Sequence, residues 1–233
     1  MIFRQLFEPV SSTYTYLLAD PSTRRAVLID PVVEQVETYL RLLSELQLTL
    51  VYTIETHVHA DHVTAGSALR ERLGSRTVVH QDGGAACADV PVKHGDHIRV
   101  DAIDLEVRET PGHTNGCVAY VAEDRVFTGD ALLIGGCGRT DFQQGDAGTL
   151  YDSVHGQILS LPPDTLIYPA HDYKGRTVST VKEELATNAR LGGGKSRDEF
   201  IAIMANLHLA YPKQIDRAVP ANQHCGREVR PQG

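Results

Sequence analysis

The chain is short of cysteine, of positive charge and of long apolar runs. It has four cysteines, Cys87, Cys117, Cys137 and Cys225, and no two form a C-x-x-C pair. That spacing excludes a zinc ribbon and a thioredoxin-type motif. With a core of its own, the chain is expected to carry free thiols in a reducing compartment. Lys and Arg number 22 against 30 Asp and Glu, a net charge of −8. Nucleic-acid binding needs a basic face, so no such partner is expected. No run approaches the ~18–20 apolar residues of a membrane span, so no membrane partner is expected either. The first twenty residues lack a basic segment followed by an unbroken apolar stretch, and they carry Glu8 and Asp20. They do not read as a secretory or transit signal, and the expected location is cytoplasmic. Internal repeats, low-complexity tracts and long linkers are also missing. Tryptophan is absent, whereas histidine numbers 11.

The 42% hydrophobic and 22% charged residues are ordinary globular usage, which argues against disorder. A length of 233 residues suits a single domain with a core that needs no staple. Short apolar runs at 2–7, 14–19 and 26–29, divided by turn residues, predict consecutive strands. Val33, Val36, Leu40 and Leu43 fall at helical spacing and predict a helix over 33–46. Residues 48–55 read as a buried strand and 61–73 as a helix closed by Gly74. Strands are predicted at 97–100, 103–109, 117–121, 125–128 and 165–168, and helices at 150–159, 180–191 and 198–207. The pattern is a layered α/β fold in one domain, 1–233, with a short helical extension from about 178.

The chemistry concentrates in Thr56-His57-Val58-His59-Ala60-Asp61-His62, directly after a predicted strand. In an extended segment residues two apart face the same side, so His57 and His59 can face one point. Three imidazoles and a carboxylate within six positions are the borderline nitrogen and anionic oxygen donors that a transition metal takes. Three more candidates each follow an apolar run: His113 in P-G-H-T, Asp130 in T-G-D, and His171 in P-A-H-D. Ligands from several strand ends converge naturally at one edge of a sheet. His80, His94, His97, His155, His208 and His224 are read instead as solvated or hydrogen-bonded residues.

In this order the T-H-x-H-x-D-H, P-G-H-T, G-D and A-H segments resemble the metallo-β-lactamase superfamily. That resemblance implies an αββα sandwich: two packed mixed sheets flanked by helices, with a metal site at one edge. A narrower resemblance is carried by Gly135-Gly136-Cys137-Gly138-Arg139-Thr140-Asp141-Phe142-Gln143, by 170–176 (AHDYKGR) and by 218–226 (AVPAN…CG). These stretches are similar to the persulfide dioxygenases. The resemblance implies one Fe(II) per chain on His57, His113 and Asp130, with glutathione persulfide, O2 and water giving sulfite and glutathione. Two histidines and one carboxylate would leave three coordination positions open. His59, Asp61, His62 and His171 would then orient ligands or tune the metal. Arg139, Tyr173, Lys174 and Arg176 would supply donors for the two glutathione carboxylates, with Cys137 at the pocket rim. The resemblance also suggests a homodimer and a separate rhodanese-type sulfurtransferase as sulfur donor.

Two rivals remain at this level. Asp61, His62 and His171 are the set that builds a second metal position in hydrolases of the superfamily. A glyoxalase II-like hydroxyacylglutathione hydrolase with a dinuclear centre is therefore the alternative. Against it, 62 residues follow His171, where those hydrolases carry a larger helical substrate region. The third reading is a metal-dependent thiol-binding protein without turnover, because a fold does not fix a function.

Overall fold

The computed structural model describes residues 1–227, which fall into two compact units. The first holds residues 1–92, 98–104 and 211–227; the second holds 93–97 and 105–210.

The first unit is built on a sheet ordered β1-β2-β3-β4-β5-β6. Its strands are β1 (Ile2–Glu8), β2 (Thr13–Ala19), β3 (Arg25–Ile29), β4 (Thr49–Ile54), β5 (Arg76–His80) and β6 (Val90–Val92). β1, β2 and β3 pair antiparallel; β3 to β6 pair parallel. Parallel neighbours need crossovers. A 3₁₀ turn (Val33–Gln35) with α1 (Val36–Glu45) supplies the first, and α2 (Gly66–Leu73) the second. Tyr39 and Leu43 of α1 and Leu69 of α2 pack on Leu17, Leu28 and Leu50 of the sheet. Each such large side chain, fully buried, contributes on the order of 1.5–3 kcal/mol. The buried Tyr39 hydroxyl is bonded to Val32 N and Thr15 Oγ1, so its polar end is satisfied inside the core. Gly74 ends α2 in the left-handed region, φ 72°, as the sequence signal predicts.

The second sheet runs β12-β11-β10-β9-β8-β7. Its strands are β7 (His97–Val100), β8 (Ile103–Glu109), β9 (Val118–Ala122), β10 (Arg125–Gly129), β11 (Leu166–Pro169) and β12 (Ser179–Thr180). β10 and β11 are parallel, and their connection carries α3 (Ala147–Ser153), which widens into a π-helical turn over Val154–Ile158. α4 (Val181–Thr187) and α5 (Arg197–Ala205) follow. α5 begins with a reciprocal capping box between Ser196 and Glu199. Leu150, Val154, Ile158, Val181 and Phe200 from these helices cover Ala119, Val126 and Ile167 of the sheet.

Four expectations are corrected. The helix expected over 61–73 starts only at Gly66, so Asp61 and His62 lie on an irregular loop. The helix expected over 180–191 stops at Thr187. Strands β5 and β6 and a helix α6 (Ile215–Asn222) were not read from the sequence. Finally, Cys87 and Cys225 form a disulfide with Cα atoms 5.9 Å apart, within the normal span, while Cys117 and Cys137 are buried thiols outside any disulfide. The bridged residues are 138 positions apart, a distance over which spacing carries no pairing signal.

Candidate metal centre

In the first unit, β4 ends at Ile54 and the chain enters the buried loop that bears His57, His59, Asp61 and His62. Asp30 organises its start. Its carboxylate accepts from Thr56 N (2.7 Å), Thr56 Oγ1 (2.8 Å) and His59 Nε2 (3.1 Å). Because the Thr56 hydroxyl spends its proton on Asp30, it accepts from His57 Nδ1 at 3.1 Å. His57 is therefore the Nδ1–H tautomer, with the lone pair on Nε2. The same logic puts a His59 proton on Nε2, beside the Asp30 carboxylate. Burial alone would lower the His59 pKa, but Asp30, with Glu55 and Asp61 nearby, holds it well above the ordinary imidazole value. His62 Nδ1 lies 2.8 Å from Asp61 Oδ2 and 3.3 Å from Thr13 Oγ1. His59 Nδ1 and His62 Nε2 are buried without a hydrogen-bond partner. His59, Asp61 and His62 offer ligand atoms within 4.8 Å of one another.

In the second unit, the ligand-type residues sit just beyond three strand ends. Gly129, at φ 54°, breaks the β10–β11 register and turns the chain out at Asp130. His171 follows β11, and Ala170 N bonds back to Gly129 O at 3.0 Å. Neighbouring parallel strands end on the same edge, so Asp130 and His171 emerge together: His171 Nε2 is 3.5 Å from Asp130 Oδ1. His113 comes from the turn after β8, and its Nε2 is 3.5 Å from Asp130 Oδ2. His113 Nδ1 donates to Arg139 O at 2.6 Å. A carbonyl can only accept, so the lone pair of His113 is on Nε2. Gly138 lets this loop close in. A Cβ there would stand 2.6 Å from Asp130 O and 2.9 Å from His113 Nδ1. Asp130 Oδ1 is buried without a hydrogen-bond partner. Buried polar atoms are normally satisfied; the unsatisfied imidazole nitrogens of the first unit and the unsatisfied carboxylate oxygen of the second are each donor types that a transition metal takes.

The expected substrate donors are less free than their residue types suggest. Arg139 makes a two-point pair with Asp141, Nε to Oδ1 at 2.6 Å and Nη2 to Oδ2 at 2.7 Å. Its Nη1 bonds Ala210 O, and its guanidinium lies 4.4 Å from the Phe142 ring centre. Arg176 is tied to Asp172 and to Ile134 O. The Asp172 carboxyl is held below its usual range: burial opposes this, but the main-chain and side-chain bonds from Arg176 and Lys174 outweigh it. Tyr173 is 74% exposed, and its ring stacks on His171 with centres 6.1 Å apart. Lys174 is exposed and forms no ion pair among the described residues. Cys137 is packed in the core beside Met204, not at a rim, and burial pushes its thiol up to about 11.

Sequence reasoning missed the residues that hold these donors in place: Thr13, Asp30, Glu55, Gly138 and Asn222. Gly138 and Asn222 lie within stretches that carry the resemblance, and Glu55 directly precedes the loop. Thr13 and Asp30 reach it from distant segments.

The metallo-β-lactamase superfamily model matches residues 9–171. The human protein named "Persulfide dioxygenase ETHE1, mitochondrial" is 56% identical over 229 residues, spanning 97% of this chain and 89% of its own length. A hydroxyacylglutathione hydrolase from Bradyrhizobium is 35% identical over 188 residues, covering 79% of this chain and 71% of that protein. Among solved structures, ETHE1 from Myxococcus xanthus is 57% identical and superposes with a TM-score of 0.95, covering 97% of this chain and all of that one. The expected αββα fold class is borne out by the two mixed sheets with flanking helices and by these likenesses. The chain belongs to the metallo-β-lactamase superfamily and, within it, to the persulfide dioxygenases, and is an enzyme of that activity.

Proposed function

We propose that this enzyme carries one Fe(II) per chain on His57, His113 and Asp130 and oxidises glutathione persulfide with O2 and water to sulfite and glutathione. The observation that carries the reading is the near full-length identity above one half to persulfide dioxygenases. It is supported by the ligand chemistry within each unit. His57 and His113 keep their lone pairs on Nε2, and Asp130 brings an unsatisfied buried oxygen. His57, His113 and Asp130 would hold the iron, which would supply binding positions for O2 and the terminal persulfide sulfur and the electron transfer between them.

The chain's own residues do the rest. Asp30, through Thr56, fixes the His57 tautomer, and Arg139 O fixes that of His113. His59, Asp61, His62 and His171 are assigned to orienting ligands and water. Lys174 and Tyr173 are the accessible donors for a glutathione carboxylate. Arg139 and Arg176, already neutralised by Asp141 and Asp172, are assigned to holding the surrounding loops and, at most, to sharing a donor with substrate. Cys137 belongs to the packing under that loop.

We further propose one superfamily domain over 1–233, a homodimer, and a separate rhodanese-type sulfur donor. A cytoplasmic location is proposed as well, whereas the mammalian relatives are named mitochondrial. Residues 2–8 form β1 and are part of the fold. No helix among the described residues is long and apolar enough to cross a membrane.

The test is oxygen consumption by anaerobically iron-loaded protein on adding glutathione persulfide, with sulfite assayed in the same vessel. Uptake with matching sulfite is expected. Absence of uptake by protein of confirmed iron content, with hydrolysis of S-lactoylglutathione, would establish the hydrolase instead.

A further inference from the structure

The loop from His57 to Thr64 has no regular secondary structure, yet almost all of it is buried. Its main-chain donors and acceptors must find partners outside a helix or sheet ladder. Three of them find the same side chain. Asn222 Nδ2 donates to His59 O at 2.9 Å and to His62 O at 2.8 Å, and Asn222 Oδ1 accepts from Thr64 N at 2.8 Å. The amide orientation is fixed, because two carbonyls can only accept and one N–H can only donate. One side chain thus spans both histidines and the Asp61 between them, from a helix 158–163 residues away in sequence.

The approach of that helix is built for the purpose. α6 presents the small residues Ala218 and Ala221 to Val63, which brings Asn222 within reach of the loop. Beyond Asn222 the chain turns and is anchored again. Ser67 N bonds Cys225 O at 2.8 Å, and Cys225 is bridged to Cys87. Gly226 packs so closely on Thr64 O that no side chain fits there.

We propose that Asn222 is a positioning residue for the metal centre: it clamps the main chain of the H-x-H-x-D-H loop at His59, His62 and Thr64, and through it the placing of His57, the loop's ligand in the reading above. The proposal rests on the metal reading above and adds to it a residue that touches neither metal nor substrate.

The test uses Asn222→Asp, which keeps the shape and the acceptor for Thr64 N but sets a carboxylate against two carbonyl oxygens. Metal-free protein is titrated with Fe(II) anaerobically against a chelator, and the Co(II)-substituted form is examined by absorption. Outer partners of ligands commonly govern affinity by about 10–100-fold, and a loss of that order is expected, with a shifted Co(II) spectrum. A loss of global stability alone would leave the spectrum of the bound ion unchanged. Affinity within twofold of the parent and an unchanged spectrum would overturn the proposal. If Asn222→Asp does not fold, the double variant Cys87→Ser, Cys225→Ser decides. It frees the anchored turn without touching Asn222, and weaker Fe(II) binding is expected, by less than the Asp variant predicts; unaltered binding overturns the proposal. A parent chain that takes up no metal sinks the reading of the previous section together with this one. Normal uptake by parent and variants alike sinks this one alone.

Discussion

The two groups of ligand-type residues are built on opposite plans. In the first unit the donors are contiguous, His57 to His62, and their supports are remote: Thr13, Asp30 and Asn222 reach in from other segments. In the second unit the donors are dispersed over His113, Asp130 and His171, and their supports are mostly main chain, such as Arg139 O and the close approach of Gly138. A contiguous loop cannot satisfy its own buried backbone, so it borrows side chains. Strand ends are already fixed by their sheet, so they need only tight turns.

The largest expected effect falls in the second unit. Asp130→Ala should lose bound iron and all oxygen uptake, measured by elemental analysis and an oxygen electrode. Normal uptake by this variant would end the ligand assignment. Next comes Gly138→Ala. Its Cβ would press on Asp130 O and the His113 ring, and iron affinity should fall by about 10–100-fold, the range for disturbed ligand orientation. If affinity holds, the second unit is more tolerant than its tight turns suggest. In the first unit, Asp30→Asn should weaken iron binding and lower stability by about 1–3 kcal/mol in urea unfolding, because a buried acceptor for three donors is compromised. The smallest effect is expected at Arg139. Arg139→Ala should raise the KM for glutathione persulfide with little change in kcat, since its charge is already met by Asp141. A collapse of kcat at unchanged KM would place Arg139 in the chemistry.

The same contrast explains what the sequence made legible. The H-x-H-x-D-H loop was readable because three imidazoles and a carboxylate in six positions have no packing use. The strand-end ligands were readable because each followed an apolar run and a turn residue. Asp30 gave no such signal: it closes β3 in the left-handed region, and only the fold brings it to Thr56 and His59. Asn222 and the Cys87–Cys225 bridge are long-range pairings that a single sequence does not encode locally. The helix expected from Asp61 was displaced to Gly66 because burial and long-range bonds, rather than helical propensity, decide the loop. Residue type marks Arg139 and Arg176 as donors for a carboxylate, and the structure pairs them with two of the chain's own, Asp141 and Asp172.

The proposed single iron needs His57 from the contiguous loop and His113 and Asp130 from the strand ends. Iron per chain, measured by elemental analysis after anaerobic loading and desalting, tests it across the parent, His57→Ala, His113→Ala and His62→Ala. One iron is expected in the parent, none in His57→Ala or His113→Ala, and retention in His62→Ala. Two irons in the parent, falling to one in His62→Ala, or full retention in His57→Ala, would contradict it.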